Sequence, residues 1–117
     1  MIGIDVVSVP RFRRTIEQEP ELPSRLFTEE EQRYCDSRQD PARHLAGTLA
    51  AKEAVIKCLE LGPLVAWARR IEVVRASSGA PHARVAGRPS PALSITHDGD
   101  LAIAVALLSG SPVEEAR

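Results

Sequence analysis

Hydrophobic residues alternate from the first positions of the chain. Ile2, Ile4 and Val6 share one parity, Gly3, Asp5 and Val7 the other, and Pro10 stops the run. That pattern predicts a strand, apolar on both faces apart from Asp5. The charged segment RFRRTIEQE that follows predicts a short helix, closed by the prolines at 20 and 23. In TEEEQRYC, Thr28 stands three residues before Glu31, the spacing of a capping box. Asp40 and Pro41 read as a cap followed by a proline at the first helical position. The helix they open is long, reaching Leu61 and stopping at Gly62-Pro63. Two hairpins follow: IEVVRA and HARVAG around SSGAP, then PALSITH and LAIAVALL around DGD. The order of strand, helices and four strands predicts an α+β fold, with a long buried helix packed on an antiparallel sheet.

Composition narrows the class. A chain of 117 residues with 44% hydrophobic positions is long enough for one domain with a real core. Aromatics are only 3%, so that core must be aliphatic and alanine-rich. The net charge of −1 gives no global pull toward nucleic acid or membrane, and any charged partner must be met by a local patch. No apolar run is long enough to span a bilayer, and no signal-peptide pattern opens the chain. Cys35 and Cys58 show no metal-binding spacing and sit in helical runs. Free thiols in a reducing, cytoplasmic compartment are expected.

Candidate chemistry lies in AAKEAVIKCLELG, residues 50–62. Glu53 and Lys57 fall about 40° apart on a helical wheel. Ala46, Leu49, Ala50 and Ile56 surround them, and Gly47, Ala51, Val55 and Cys58 lie opposite. A helix apolar nearly all round is buried, and a carboxylate on its wall needs a cation, a donor or a raised pKa. A plain i,i+4 ion pair on a solvated edge also fits these two residues. Asp5, in a buried-looking strand, is the second isolated carboxylate. Two such carboxylates and a lysine suit a hard cation such as Mg²⁺ together with a phosphate.

GIDVVSVPRF, LFTEEEQRYC, HLAGTLAAKEAVIKCL and LSITHDGDLAIAVA together resemble the holo-acyl-carrier-protein synthase group of 4′-phosphopantetheinyl transferases, over nearly the whole chain. The resemblance implies a single transferase domain over residues 1–117. It would move phosphopantetheine from coenzyme A to a serine of an apo acyl carrier protein, with Mg²⁺ and release of 3′,5′-ADP. It implies Asp5 and Glu53 as metal ligands and Lys57 as the group facing the diphosphate. Glu53, directly or through a metal-bound water, would take the serine proton. His97, Thr96 and Ser94 would meet the nucleotide end of coenzyme A. Gly79 and Pro81 resemble the loop that approaches the adenine from a neighbouring subunit of a homotrimer. Arg11 and Arg14, within the basic cluster Arg11, Arg13 and Arg14, would receive the carrier's acidic recognition helix, with Arg25 and Leu26 extending that surface.

The sequence departs from the family pattern in three places. Thr48 stands where relatives carry an arginine associated with phosphate contact, and Leu49 where they carry a phenylalanine. Arg43 and His44, one turn earlier, are the candidates to supply the missing charge. GRPSP lacks the helix many relatives have before LSITH. Two other classes fit the residues: a coenzyme A or carrier-binding module without transfer activity, and a structural oligomer in which Asp5 and Glu53 form buried ion pairs.

Overall fold

The computed structural model of the chain describes residues 1–110. Strand β1 (Ile2–Ser8) is followed by helices α1 (Val9–Gln18), α2 (Leu22–Leu26), α3 (Glu29–Asp36), α4 (Pro41–Leu59) and α5 (Leu64–Trp67). Strands β2 (Ile71–Arg75), β3 (Pro81–Val85), β4 (Ala92–Asp98) and β5 (Leu101–Leu107) complete the order. They form two sheets rather than one. A three-stranded antiparallel sheet runs β1-β5-β4, and β2 pairs with β3 as a separate hairpin. The α+β expectation holds, with α4 packed on the antiparallel sheet.

Small side chains bring α4 close to that sheet. Gly3 is buried, and a Cβ there would stand 1.9 Å from the Ala54 carbonyl oxygen, so only glycine permits this crossing. Ala50, Ala51 and Ala54 of α4 meet Ala104 and Ala106 of β5, all fully buried. Trp67, Ile71, Val73, Ala83 and Val85 continue the same core under the hairpin. A second cluster joins Val9, Phe12, Phe27, Cys35, Leu45, Ala46 and Ala102 beneath α1 and α3. The two cysteines are free and buried. Burial pushes the Cys35 thiol up to about 11.

Several boundaries differ from the expectation. α4 stops at Leu59, before Gly62. Glu60 takes the left-handed conformation (φ 53°), and Leu61 N–H returns to the Ile56 carbonyl at 3.0 Å. These bonds close the helix end before the glycine is reached. The segment after Pro20 forms α2, a short helix beyond those the sequence pattern predicts. Pro23 sits in its first turn, where no backbone donor is needed. Asp40 precedes α4 but does not cap it with its side chain. Its carboxylate instead holds Arg13 by two bonds of 2.8 and 2.9 Å. The capping box forms as read, with Thr28 accepting from Glu31 N–H and Glu31 accepting from Thr28 N–H.

β1 departs most from its sequence reading. Gly3, Asp5 and Val7 face α4, while Ile2, Ile4 and Val6 face outward and are 66%, 55% and 52% exposed. Across the sheet, Ile2 pairs with Leu107, Ile4 with Val105 and Val6 with Ile103. One face of the sheet is therefore covered by α4, and the other is an apolar surface that the described residues leave open.

Candidate active site

Asp5 lies two residues beyond Gly3 on the same face of β1, so the close crossing at Ala54 sets it beside the next turn of α4. Lys57 donates to Asp5 Oδ1 at 3.0 Å and to the Ile4 carbonyl at 2.9 Å. Glu53 stands one turn earlier, half-buried. Burial raises its pKa first and the nearby Asp5 charge raises it further, while Lys57 opposes both. The three residues singled out in sequence thus come together where β1 crosses α4. The pairing differs from the expected one: Lys57 bonds Asp5, and its ammonium is half-exposed, not sunk in an apolar stripe.

The charged side chain that α4 does bury is Lys52, which the sequence reading passed over. It is fully enclosed and pairs with Glu31 at 2.7 Å. Its ammonium also donates to the carbonyls of Ala68 and Ile71. The other Glu31 oxygen accepts from Val73 N–H at 2.6 Å. Burial lowers the Lys52 pKa, against the pull of Glu31. A helical wheel held the signal, because Lys52 shares its face with Leu45, Thr48 and Val55, all buried. This network ties α3, α4 and β2 together behind Glu53.

A second constellation lies at the start of α4. His97, on the inner face of β4, donates from Nε2 to the Arg43 carbonyl at 3.0 Å. Gly47 makes room for it, since a Cβ there would lie 3.0 Å from Nε2. The His97 and His44 rings meet edge to face at 5.8 Å, and His44 meets Tyr34 at 6.3 Å. The guanidiniums of Arg75 and Arg38 lie 4.8 and 5.4 Å from the Tyr34 ring centroid. Burial lowers the His44 pKa, and the charges of His97, Arg38, Arg75 and Arg43 lower it further. Thr48 is buried, donating to the His44 carbonyl at 2.9 Å beside Cys35. Position 48 is thus closed between α3 and α4.

The remaining candidates are spread over other surfaces. Ser94 and Thr96 alternate with His97 and point outward, opposite Val105 and Ile103 on the open face. Pro81 opens β3, and Gly79 lies in the β2–β3 turn at φ +91°. On α1, Arg13 is occupied by Asp40, which leaves Arg11 and Arg14 exposed. A cleft of about 240 Å³ beside Arg11 is lined by Val6, Val7, Ser8, Phe12 and Thr15. Arg25 and Leu26 lie on α2, with Arg25 in a loose exposed pair with Glu21. Between β3 and β4 no helix forms, as GRPSP implied.

Among the described residues no group of three or more His, Cys, Asp or Glu side chains is placed to hold a metal. Asp5 and Glu53 are a pair, which suits a cation whose other ligands are water and substrate phosphate. No helix among the described residues is long and apolar enough to cross a membrane.

Residues 1–106 match the family model described as 4′-phosphopantetheinyl transferase superfamily. The chain is 37% identical over 124 residues to a holo-[acyl-carrier-protein] synthase of Moorella thermoacetica, covering 97% of this chain and 96% of that one. It is 41% identical over 119 residues to a holo-[acyl-carrier-protein] synthase of Clavibacter michiganensis, covering 93% and 94%. The fold superposes on the Helicobacter pylori holo-[acyl-carrier-protein] synthase in complex with coenzyme A. That match has a TM-score of 0.80 and 27% identity, over 93% of this chain and all of the other.

Proposed function

Because the chain belongs to the 4′-phosphopantetheinyl transferase superfamily, as a holo-acyl-carrier-protein synthase, we propose that Asp5, Glu53 and Lys57 form its transfer site. The reaction moves 4′-phosphopantetheine from coenzyme A to a serine of an apo acyl carrier protein and releases 3′,5′-ADP. The observation that carries this assignment is the convergence of two carboxylates and an ammonium at the β1–α4 crossing. The described chain works as one transferase domain, and its buried free cysteines suit a reducing cytoplasm.

Asp5 and Glu53 are the residues to hold Mg²⁺. Burial raises Glu53 most and the Asp5 charge adds to it, and a bound cation would offset both. When bound, the ion supplies charge stabilisation to the phosphate oxygens. The serine oxygen forms a bond to the β-phosphorus, and the bond from that phosphorus to the bridging oxygen breaks. 3′,5′-ADP leaves with the electron pair. Glu53, directly or through a water, takes the serine proton, and its raised pKa brings it nearer that task. Lys57, half-exposed and reaching from α4 to β1, turns from Asp5 to the charge growing on the diphosphate.

The homotrimer is part of the same proposal. Ile2, Ile4, Val6, Leu101 and Leu107 are all more than 40% exposed on the open sheet face. An apolar patch of this extent on a small chain suits a protein interface. Ser94 and Thr96 share that face while His97 lies behind it, so one chain alone does not line a pocket with all three. An interface between copies brings Ser94, Thr96 and the Gly79–Pro81 turn to a shared coenzyme A site, with His97 and Arg43 toward its nucleotide end. Arg11 and Arg14, with Arg25 and Leu26, receive the acidic carrier. Intact mass of an apo carrier protein after incubation with coenzyme A and Mg²⁺ tests the reading: a phosphopantetheine adduct supports it, and an unmodified carrier sinks it.

A further inference from the structure

A groove of about 490 Å³ lies away from the Asp5 site, between the α5–β2 turn and the outer side of β3. Arg69, Arg70, Glu72, Arg84, Val85 and Ala86 line it. Two guanidiniums rest over one indole, with Arg70 4.3 Å and Arg88 5.5 Å from the Trp67 ring centroid. Stacking orders these planar forks in advance, so less freedom is lost when they meet a carboxylate. Arg69 is held in place by donation to the Ser24 carbonyl at 2.8 Å. That bond joins the groove to α2 and to Arg25 beside it. Among the described residues Glu72 is the one acidic lining residue, and it is already engaged, by Thr28 Oγ1 at 2.7 Å and Arg84 at 3.7 Å. A chain of net charge −1 thus lines one groove with three exposed arginines, Arg69, Arg70 and Arg84, and sets a fourth, Arg88, over the same indole as Arg70.

We propose that this groove is a second docking surface for the apo carrier protein, taking an acidic amphipathic helix whose carboxylates meet Arg70 in the groove and Arg88 across the Trp67 ring from it. This rests on the transferase reading above. The chemistry favours an acidic polypeptide because Arg69, Arg70 and Arg84 flank the exposed Ala86, and their apolar stems suit a helix face edged by carboxylates. Nucleic acid is disfavoured, since Trp67 is only 9% exposed beneath its own arginines and offers no face for a base to stack on.

Steady-state transfer with the full chain tests this. In Arg70→Glu/Arg88→Glu the KM for carrier protein should rise about tenfold or more, with a weaker dependence on added salt. The kcat, the KM for coenzyme A and the melting temperature should stay near wild type. Arg70→Gln/Arg88→Gln should show a smaller rise of the same sense, which covers a reversal that fails to fold. An unchanged carrier KM in either folded pair overturns the proposal, as does an equal rise for both substrates. Loss of single-stranded oligonucleotide binding with an unaltered carrier KM overturns it in favour of nucleic acid. A wild-type protein that transfers nothing overturns the transferase reading as well; one whose carrier KM responds to Arg11→Glu/Arg14→Glu but not to the groove variants removes the groove alone.

Discussion

Lys57 reaches across from α4 to Asp5 on β1, 3.0 Å away, instead of pairing with Glu53 one turn back on its own helix. The ammonium therefore bridges helix and strand at the place where the two carboxylates face each other. Its carboxylate partner is mostly covered while Lys57 itself is half-exposed, so the pair is a weak anchor for the fold.

Lys57→Ala should fold normally, losing at most about 1 kcal/mol, as for other exposed ion pairs. Its kcat should fall on the order of 100- to 1000-fold, the cost of one preorganised donor to developing charge. Kinetics beside a melting curve check this. A clearly lowered melting temperature with near-wild-type kcat would reduce Lys57 to a structural bridge.

Glu53 gives a pH signature. Its folded pKa is raised above the ordinary value of 4.5, so the folded state holds the proton more tightly than the unfolded chain. Its ionised form thus weakens the metal-free fold as pH rises from about 4.5 through the folded pKa. Glu53→Gln should melt at or above the wild-type temperature at pH 7, and the gap should close near pH 4. Mg²⁺ should stabilise the wild type and not the variant. Metal-free melts in which Glu53→Gln is less stable at pH 7 than at pH 4, relative to wild type, contradict this assignment.

Lys52 and Glu31 should behave as a buried pair. Removing one partner strands the other charge, and Lys52→Met should cost roughly 3–5 kcal/mol. Glu31→Ala loses the ion pair, the helix cap and the bond to Val73 together. The Lys52→Met/Glu31→Ala double variant should therefore lie well short of the sum of the two single losses. Denaturant unfolding of all four proteins measures the coupling; strict additivity would show that the pair is not one unit.

The carrier surface on α1 is electrostatic. Arg11→Glu/Arg14→Glu should raise the carrier KM while leaving that for coenzyme A little changed. The wild-type carrier KM should rise with salt, because exposed charges are screened over about 8–10 Å near physiological ionic strength. Arg13→Ala is the control. Its guanidinium is committed to Asp40, so it should affect stability more than carrier binding. A larger carrier effect from Arg13 than from Arg11 and Arg14 would move the surface.

The open sheet face should carry assembly. Val105→Lys places a charge opposite Ile4, at the centre of the apolar patch. The variant should run as a smaller species than wild type by light scattering and lose transfer with it. An unchanged mass would place the subunit contacts elsewhere.

The sequence alone determined a great deal here, because the signals are local. Alternation marked β1, the Thr28–Glu31 spacing marked the start of α3, and DGD and SSGAP marked the two hairpins. Asp5, Glu53 and Lys57 stood out because charges in apolar periodic runs are costly and need a reason. Tertiary structure decided what depends on partners far along the chain. Parity within β1 does not say which face a helix will cover; Gly3 decided that, by allowing α4 to approach within backbone contact on the Asp5 side. Periodicity put Lys57 beside Glu53, but the crossing strand offered Asp5 and the Ile4 carbonyl, and Lys57 took those. Lys52 looked like one more charge on a helix, and only the meeting of α3, β2 and the Ala68 carbonyl made it the most enclosed one. The arginines at 70 and 88 lie 18 positions apart and meet because the β2–β3 hairpin folds both over Trp67. Local pattern fixes which elements form; which charges end up paired is set by distances between elements that no short window of sequence contains.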